Sequence, residues 1–86
     1  MKGYVYILKS LKDDKSYIGS TPNVIRRLSE HNKGYVKSTK SRIPLILTDI
    51  LEYENLTIAR KMENKFKNSH NTLIKELIRQ RRLVHR

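Results

Sequence analysis

Two short runs rich in aromatic and β-branched residues, Tyr4-Val5-Tyr6-Ile7-Leu8 and Ser16-Tyr17-Ile18-Gly19, flank the polar stretch Lys12-Asp13-Asp14-Lys15. This pattern predicts a β-hairpin with a polar turn, and the remaining chain must supply what covers it. Thr21 is a candidate N-cap with Pro22 at the first helical position, and Val24, Leu28 and His31 follow at spacings of four and three. A helix is therefore expected from about Pro22 to Asn32, closed by Lys33-Gly34. Ile46 to Tyr53 reads as a third strand, more buried in character than the hairpin. Asn55 or Thr57 can cap a second helix that carries Ile58, Ala59, Met62 and Phe66 on one stripe, most simply for core packing. A last helical pattern puts Leu73, Ile74, Leu77 and Ile78 on one side, ahead of a basic run beginning Arg79-Gln80-Arg81-Arg82. The expected fold is α+β, a three-stranded antiparallel sheet flanked by helices. One domain is expected over residues 1–78, with a basic C-terminal tail over 79–86.

Composition narrows the function. A chain of 86 residues has room for one modest core, so its function must sit on the surface. It has no cysteine, which excludes disulfide staples, thiolate zinc sites and thiol nucleophiles. No apolar run approaches the roughly 20 residues that a bilayer span needs, and the reading is of a soluble, cytoplasmic protein without a membrane partner. Nineteen Lys and Arg against eight Asp and Glu leave a net charge of +11, with both halves of the chain net positive. Such an excess favours a polyanion, because each phosphate neutralised releases condensed counterion. The segment from Tyr35 to Pro44 is Ser, Thr, Lys and Arg with one Pro, which suits a loop that contacts phosphate as easily as one that only meets water.

The eight carboxylates can be enumerated: Asp13 and Asp14 in the turn, Glu30 on the first helix, Asp49, Glu52 and Glu54 in and after the third strand, and Glu63 and Glu76 on the later helices. His31, His70 and His85 lack metal-ligand spacing, so zinc is not expected. Asp49 followed by Glu63-Asn64-Lys65 mimics an acidic nuclease triplet. The spacing around it is helical, however, and would turn Glu63 and Lys65 about 200° apart. A different constellation remains. Tyr6 and Tyr17 lie in the two hairpin strands, and Arg27 and His31 share one face of the first helix. Nearby cations favour a phenolate, so a tyrosine beside Arg27 could orient or deprotonate a water. Arg27 could hold a phosphate while Glu63 offers an oxygen to one Mg²⁺. Strand tyrosines are also ordinary packing residues.

Tyr4-Val5-Tyr6, Tyr17-Ile18-Gly19, Arg27, His31 and Glu63, in that order, resemble the GIY-YIG nuclease family. That family includes the amino-terminal nuclease domain of a bacterial excinuclease and several homing endonucleases. Val5 to Leu8, Tyr17 to Thr21, Arg26 to Leu28, Glu30 to Asn32 and Lys37 to Lys40 are similar to its small stand-alone bacterial members. The resemblance implies hydrolysis of DNA phosphodiesters with Mg²⁺ or Mn²⁺, in DNA repair or recombination. Tyr6 would serve as general base or water-orienting group, and Tyr17 would lie near the water or the scissile phosphate. Arg27 would stabilise the phosphate, His31 would donate a proton or contact phosphate, and Glu63 would be the single metal ligand. Lys37, Ser38, Lys40 and Arg42 are the candidate DNA contacts. Three departures stand out. Gly3 is displaced by one from the first glycine of the family name, Ser20 stands where excinuclease members carry lysine, and Asn68 and Asn71 both compete for the family's C-terminal asparagine. Two alternatives are a weak or inactive nucleic-acid-binding module and a basic adaptor that docks an acidic protein through Leu73 to Arg86.

Overall fold

The computed structural model describes residues 1–84; His85 and Arg86, the end of the expected tail, lie outside the described residues. The order is β1 (Gly3–Ser10), β2 (Ser16–Thr21), α1 (Val24–Asn32), a short 3-10 turn (Lys40–Arg42), β3 (Leu45–Tyr53), α2 (Leu56–Asn68) and α3 (His70–Val84). The strands form one antiparallel sheet in the order β2-β1-β3, the expected α+β arrangement.

The strand expected to be most buried is not the central one. β1 lies between its neighbours, and Val5, Tyr6, Ile7 and Leu8 are all buried, whereas β3 is an edge strand with Ile46 and Ile50 exposed. A strand covered on both faces loses the alternation that marks a half-buried one. Tyr6 and Leu8 face α1 and pack with Tyr17, Val24, Leu28, Leu45 and Leu47. Val5 faces the other way and packs with Ile18, Leu51, Tyr53, Ala59, Met62, Phe66, Leu73 and Leu77. Helix α1 thus covers one face, and α2 with α3 covers the other.

β3 serves both faces through a bulge. Its register against β1 shifts between Ile7 and Leu8, which leaves Thr48 unpaired, and the Thr48 hydroxyl donates to the Ile7 carbonyl at 3.1 Å. The extra residue reverses the alternation. Leu45 and Leu47 therefore join the α1 side, while Leu51 and Tyr53, at odd positions too, join the α2 side.

Helix α1 starts two residues later than its sequence suggests. Thr21 ends β2, and its hydroxyl accepts the Asn23 N–H at 3.1 Å, holding Asn23 extended. Asn23 then caps the helix by accepting the Arg26 N–H on its side chain at 3.0 Å. Asn55 caps α2 in the same way, through the Ile58 N–H at 2.9 Å. In α3 only half of the expected stripe packs: Leu73 and Leu77 meet the core, while Ile74 and Ile78 are exposed. Residues 79–84 continue this helix, with Arg79 paired to Glu76 and Arg81 to Asp49. The Gln80 carboxamide accepts the Glu52 N–H and donates to its carbonyl, and Asn32 does the same for Leu45. Two side-chain amides thus occupy outward backbone groups at both ends of the β3 edge. Among the described residues no helix is long and apolar enough to cross a membrane.

Gly3 fixes the approach of α2. A Cβ there would lie 2.5 Å from the Asn55 carbonyl oxygen and 2.6 Å from the Leu56 Cα, both backbone atoms at the start of α2. Gly3→Ala is expected to cost about 1–3 kcal/mol by forcing that helix outward. A lowered urea midpoint with an unchanged slope is the measurement; an unchanged midpoint would contradict this packing.

Candidate active site

Tyr6 sits at the middle of the central strand, so its ring is held by elements on three sides. It is 2% exposed, and opposite it on β2 is Gly19, where a Cβ would stand 2.5 Å from the Tyr6 hydroxyl. Glycine is needed at that position because the phenol lies across it. A buried hydroxyl needs partners, since leaving one unpaired costs about 1–3 kcal/mol. Tyr6 Oη lies 2.9 Å from His31 Nε2, and His31 Nδ1 lies 2.7 Å from Thr39 Oγ1. His31 and Thr39 are both completely buried. His31 therefore stands behind Tyr6 and has no surface to offer a phosphate, which removes one of its two expected roles.

Tyr17 packs edge-on against His31, with ring centroids 5.1 Å apart, and lies tilted beside Tyr6 at 6.3 Å. Arg27, one turn before His31 on α1, brings its guanidinium next to the Tyr6 hydroxyl while its Nη1 donates to Glu30 at 3.1 Å. Glu63 reaches the same region from α2, on the opposite face of the sheet. Ser20 on β2 donates to its Oε1 at 2.6 Å, and Lys67 Nζ pairs with its Oε2 at 2.6 Å. The residues singled out in the sequence as Tyr6, Tyr17, Arg27, His31 and Glu63 thus gather around the β2 side of the sheet.

The electrostatics correct one expectation. Burial pushes the Tyr6 phenol up to about 12, with Tyr17 and Glu63 adding to the rise, and Arg27 opposes this without overcoming it. The phenolate expected from nearby cations is therefore not the resting form, because removing the hydroxyl from water outweighs one adjacent guanidinium. Burial and, second, Arg27 hold the His31 imidazole below its usual range, while Glu30 acts the other way. His31 is accordingly neutral at pH 7.

Lys37, Ser38 and Lys40 are exposed on the loop that follows α1. Arg42 is half-buried, its Nε donating to Asp13 at 3.2 Å, so it also ties this loop to the hairpin turn. Thr39, Ser20, Gly19 and Lys67 carry contacts that the sequence reading did not draw from them. The Tyr17-Ile18-Gly19-Ser20 run marked two of them by proximity; nothing in the sequence separates Thr39 from its exposed neighbours. Glu63 and the Ser20 hydroxyl are hard oxygen donors, and one carboxylate completed by waters and substrate phosphate is a common Mg²⁺ environment. Among the described residues no three His, Asp or Glu side chains gather into a metal cluster.

Residues 2–77 match the GIY-YIG catalytic domain. A UPF0213 protein of Syntrophus aciditrophicus is 38% identical over 81 residues, which cover 92% of each chain. A UPF0213 protein of Natronomonas pharaonis is 36% identical over 66 residues, 76% of each chain. Among solved structures, the solution NMR structure of the UPF0213 protein BH0048 from Bacillus halodurans superposes with a TM-score of 0.51 at 31% identity, covering 93% of this chain and 85% of that one. The match over nearly the whole chain, together with the likeness to UPF0213 proteins in sequence and fold, means that this protein belongs to the GIY-YIG family of nuclease domains and groups with its small UPF0213 members.

Proposed function

We propose that the protein is a divalent-metal-dependent endonuclease that hydrolyses DNA phosphodiester bonds. One observation carries the reading: Tyr6, Tyr17 and His31 pack together, Arg27 lies one turn before His31 on α1, and Glu63 reaches from α2 to Ser20, next on β2 to the Gly19 that faces Tyr6. The net charge of +11 supports a polyanionic substrate.

In this reading Tyr6 Oη orients the attacking water and takes its proton. A phenol held near 12 is a poor base unless its own proton can leave at the same time, and His31 Nε2, 2.9 Å away and neutral, receives it. The water oxygen forms a bond to phosphorus as the bond to the leaving sugar oxygen breaks, and that oxygen takes a proton from solvent. Arg27 lies beside the developing charge and stabilises it, and Tyr17 holds the water side of the site. Mg²⁺ or Mn²⁺ held by Glu63 would supply further neutralisation of the phosphate. Lys37, Ser38 and Lys40 extend the phosphate contact along the loop, with Arg42 bracing it.

A second reading, a weak or inactive nucleic-acid-binding module, is favoured by one contact: Lys67 neutralises Glu63, the sole carboxylate offered for metal. Nicking of supercoiled plasmid separates the two. Under the nuclease reading, wild type nicks with Mg²⁺ or Mn²⁺ and stops in chelator. Glu63→Gln, Arg27→Ala and Tyr6→Phe each lose about 10²-fold or more while DNA affinity persists. Cutting by all three at wild-type rates would sink the assignment.

The pH dependence follows from His31, which is faced by Tyr6, Tyr17, Arg27 and Glu30. Only the neutral imidazole can accept a proton, and its pKa is lowered, so cleavage should rise with pH along a limb lying below the ordinary value of about 6.5 and be flat from there through neutrality. A limb centred above 7 would contradict the relay. Gly19→Ala, which drives a methyl into the Tyr6 hydroxyl, is expected to keep the circular-dichroism spectrum and lose about 10²-fold in nicking rate.

A further inference from the structure

Thr39 belongs to none of the groups given a chemical role above, yet it is completely buried and its hydroxyl meets His31 Nδ1 at 2.7 Å. Its neighbours Ser38 and Lys40 both face solvent, so the loop turns one residue inward. A threonine hydroxyl has a single proton to give. The Val36 carbonyl, which accepts the Thr39 N–H at 3.1 Å, also stands 3.5 Å from Oγ1 and can take that proton. Oγ1 then presents a lone pair to His31, and Nδ1 carries the ring hydrogen. A neutral imidazole has only one N–H, so Nε2 is left free to accept.

The far end of the chain of contacts leads to the same assignment. Tyr6 is buried, so the phenol's own proton needs an acceptor within the site. His31 Nε2 is the hydrogen-bond partner at that hydroxyl. In the opposite tautomer, Nε2–H would point at the Tyr6 oxygen and leave the phenol proton without that partner.

We propose that Thr39 is a positioning residue for hydrolysis: it fixes neutral His31 as the Nδ1–H tautomer, so that Nε2 can receive the Tyr6 proton while Tyr6 takes one from water. The catalytic consequence rests on the nuclease reading; the tautomer rests on the contacts among Val36, Thr39, His31 and Tyr6. No group is consumed, since His31 returns the proton to Tyr6 along the same hydrogen bond after turnover, and Tyr6 releases one to water as product leaves.

Long-range ¹H–¹⁵N spectra of the histidine rings, recorded on the full chain at neutral pH, test this directly. Wild-type His31 should show a protonated Nδ1 and a bare Nε2. Thr39→Val should shift the ring toward Nε2–H and lower kcat for plasmid nicking about 10- to 100-fold with KM unchanged, and Thr39→Ser should restore both. A wild-type ring protonated at Nε2, or a tautomer indifferent to Thr39→Val, overturns the assignment. A changed tautomer with unchanged kcat overturns the catalytic role. If Thr39→Val fails to fold, the wild-type and Thr39→Ser spectra still decide, because both must carry the Nδ1–H form. A wild type that cuts no DNA but shows the Thr39-dependent tautomer refutes the nuclease reading and leaves the hydrogen-bond assignment intact.

Discussion

The whole arrangement depends on a phenol hydroxyl placed inside the sheet's central layer. Tyr6 is on the strand covered from both sides, and the residue is 2% exposed, so its hydroxyl has little water around it. A buried polar atom must find partners or destabilise the fold, and each structural peculiarity nearby answers that demand. Gly19 leaves room for the ring, His31 is buried at 0% exposure to meet the hydroxyl, Thr39 meets His31 in turn, and Arg27 comes to rest alongside. Among the described residues no buried side-chain nitrogen or oxygen lacks a partner.

That burial sets the protonation of these side chains as well as their order. A solvent-exposed tyrosine beside arginine would tend toward phenolate; inside the sheet, desolvation wins and the proton is held more tightly. The same withdrawal from water weakens proton binding by His31. The two shifts have opposite sign because burial disfavours whichever form is charged, phenolate in one case and imidazolium in the other. The neutral phenol and neutral imidazole that result form a hydrogen-bonded pair at 2.9 Å, with no ion pair between them.

Glu63 lies outside this buried network and differs from it in kind. It arrives from α2 across the sheet, and its oxygens are engaged by Ser20 and by Lys67, whose side chain is half-exposed. A cation is thus already seated at the carboxylate. The acidic and the aromatic halves of the site are carried by opposite faces of one small sheet, so the packing of α2 against β1 and β2 sets the distance between them. Gly3, beneath the start of α2, is part of that spacing.

The sequence by itself determined the elements and named the candidates. Hairpin residues, helix stripes such as Val24, Leu28 and His31, a cap at Asn55 or Thr57 and the order Tyr6, Tyr17, Arg27, His31, Glu63 are all local or linear properties, set by periodicities of two and 3.6 and by residue type. Only the tertiary structure decided that β1 is central, that a bulge at Thr48 sends Leu45 and Leu51 to opposite faces, and that Asn23 displaces Thr21 as the cap. It alone separated Thr39 from Ser38 and Lys40, and reversed the expected ionisation of Tyr6. The reason is common to all of these. Burial, strand order and proton affinity are sums over neighbours remote in the chain, and no window of adjacent residues contains them.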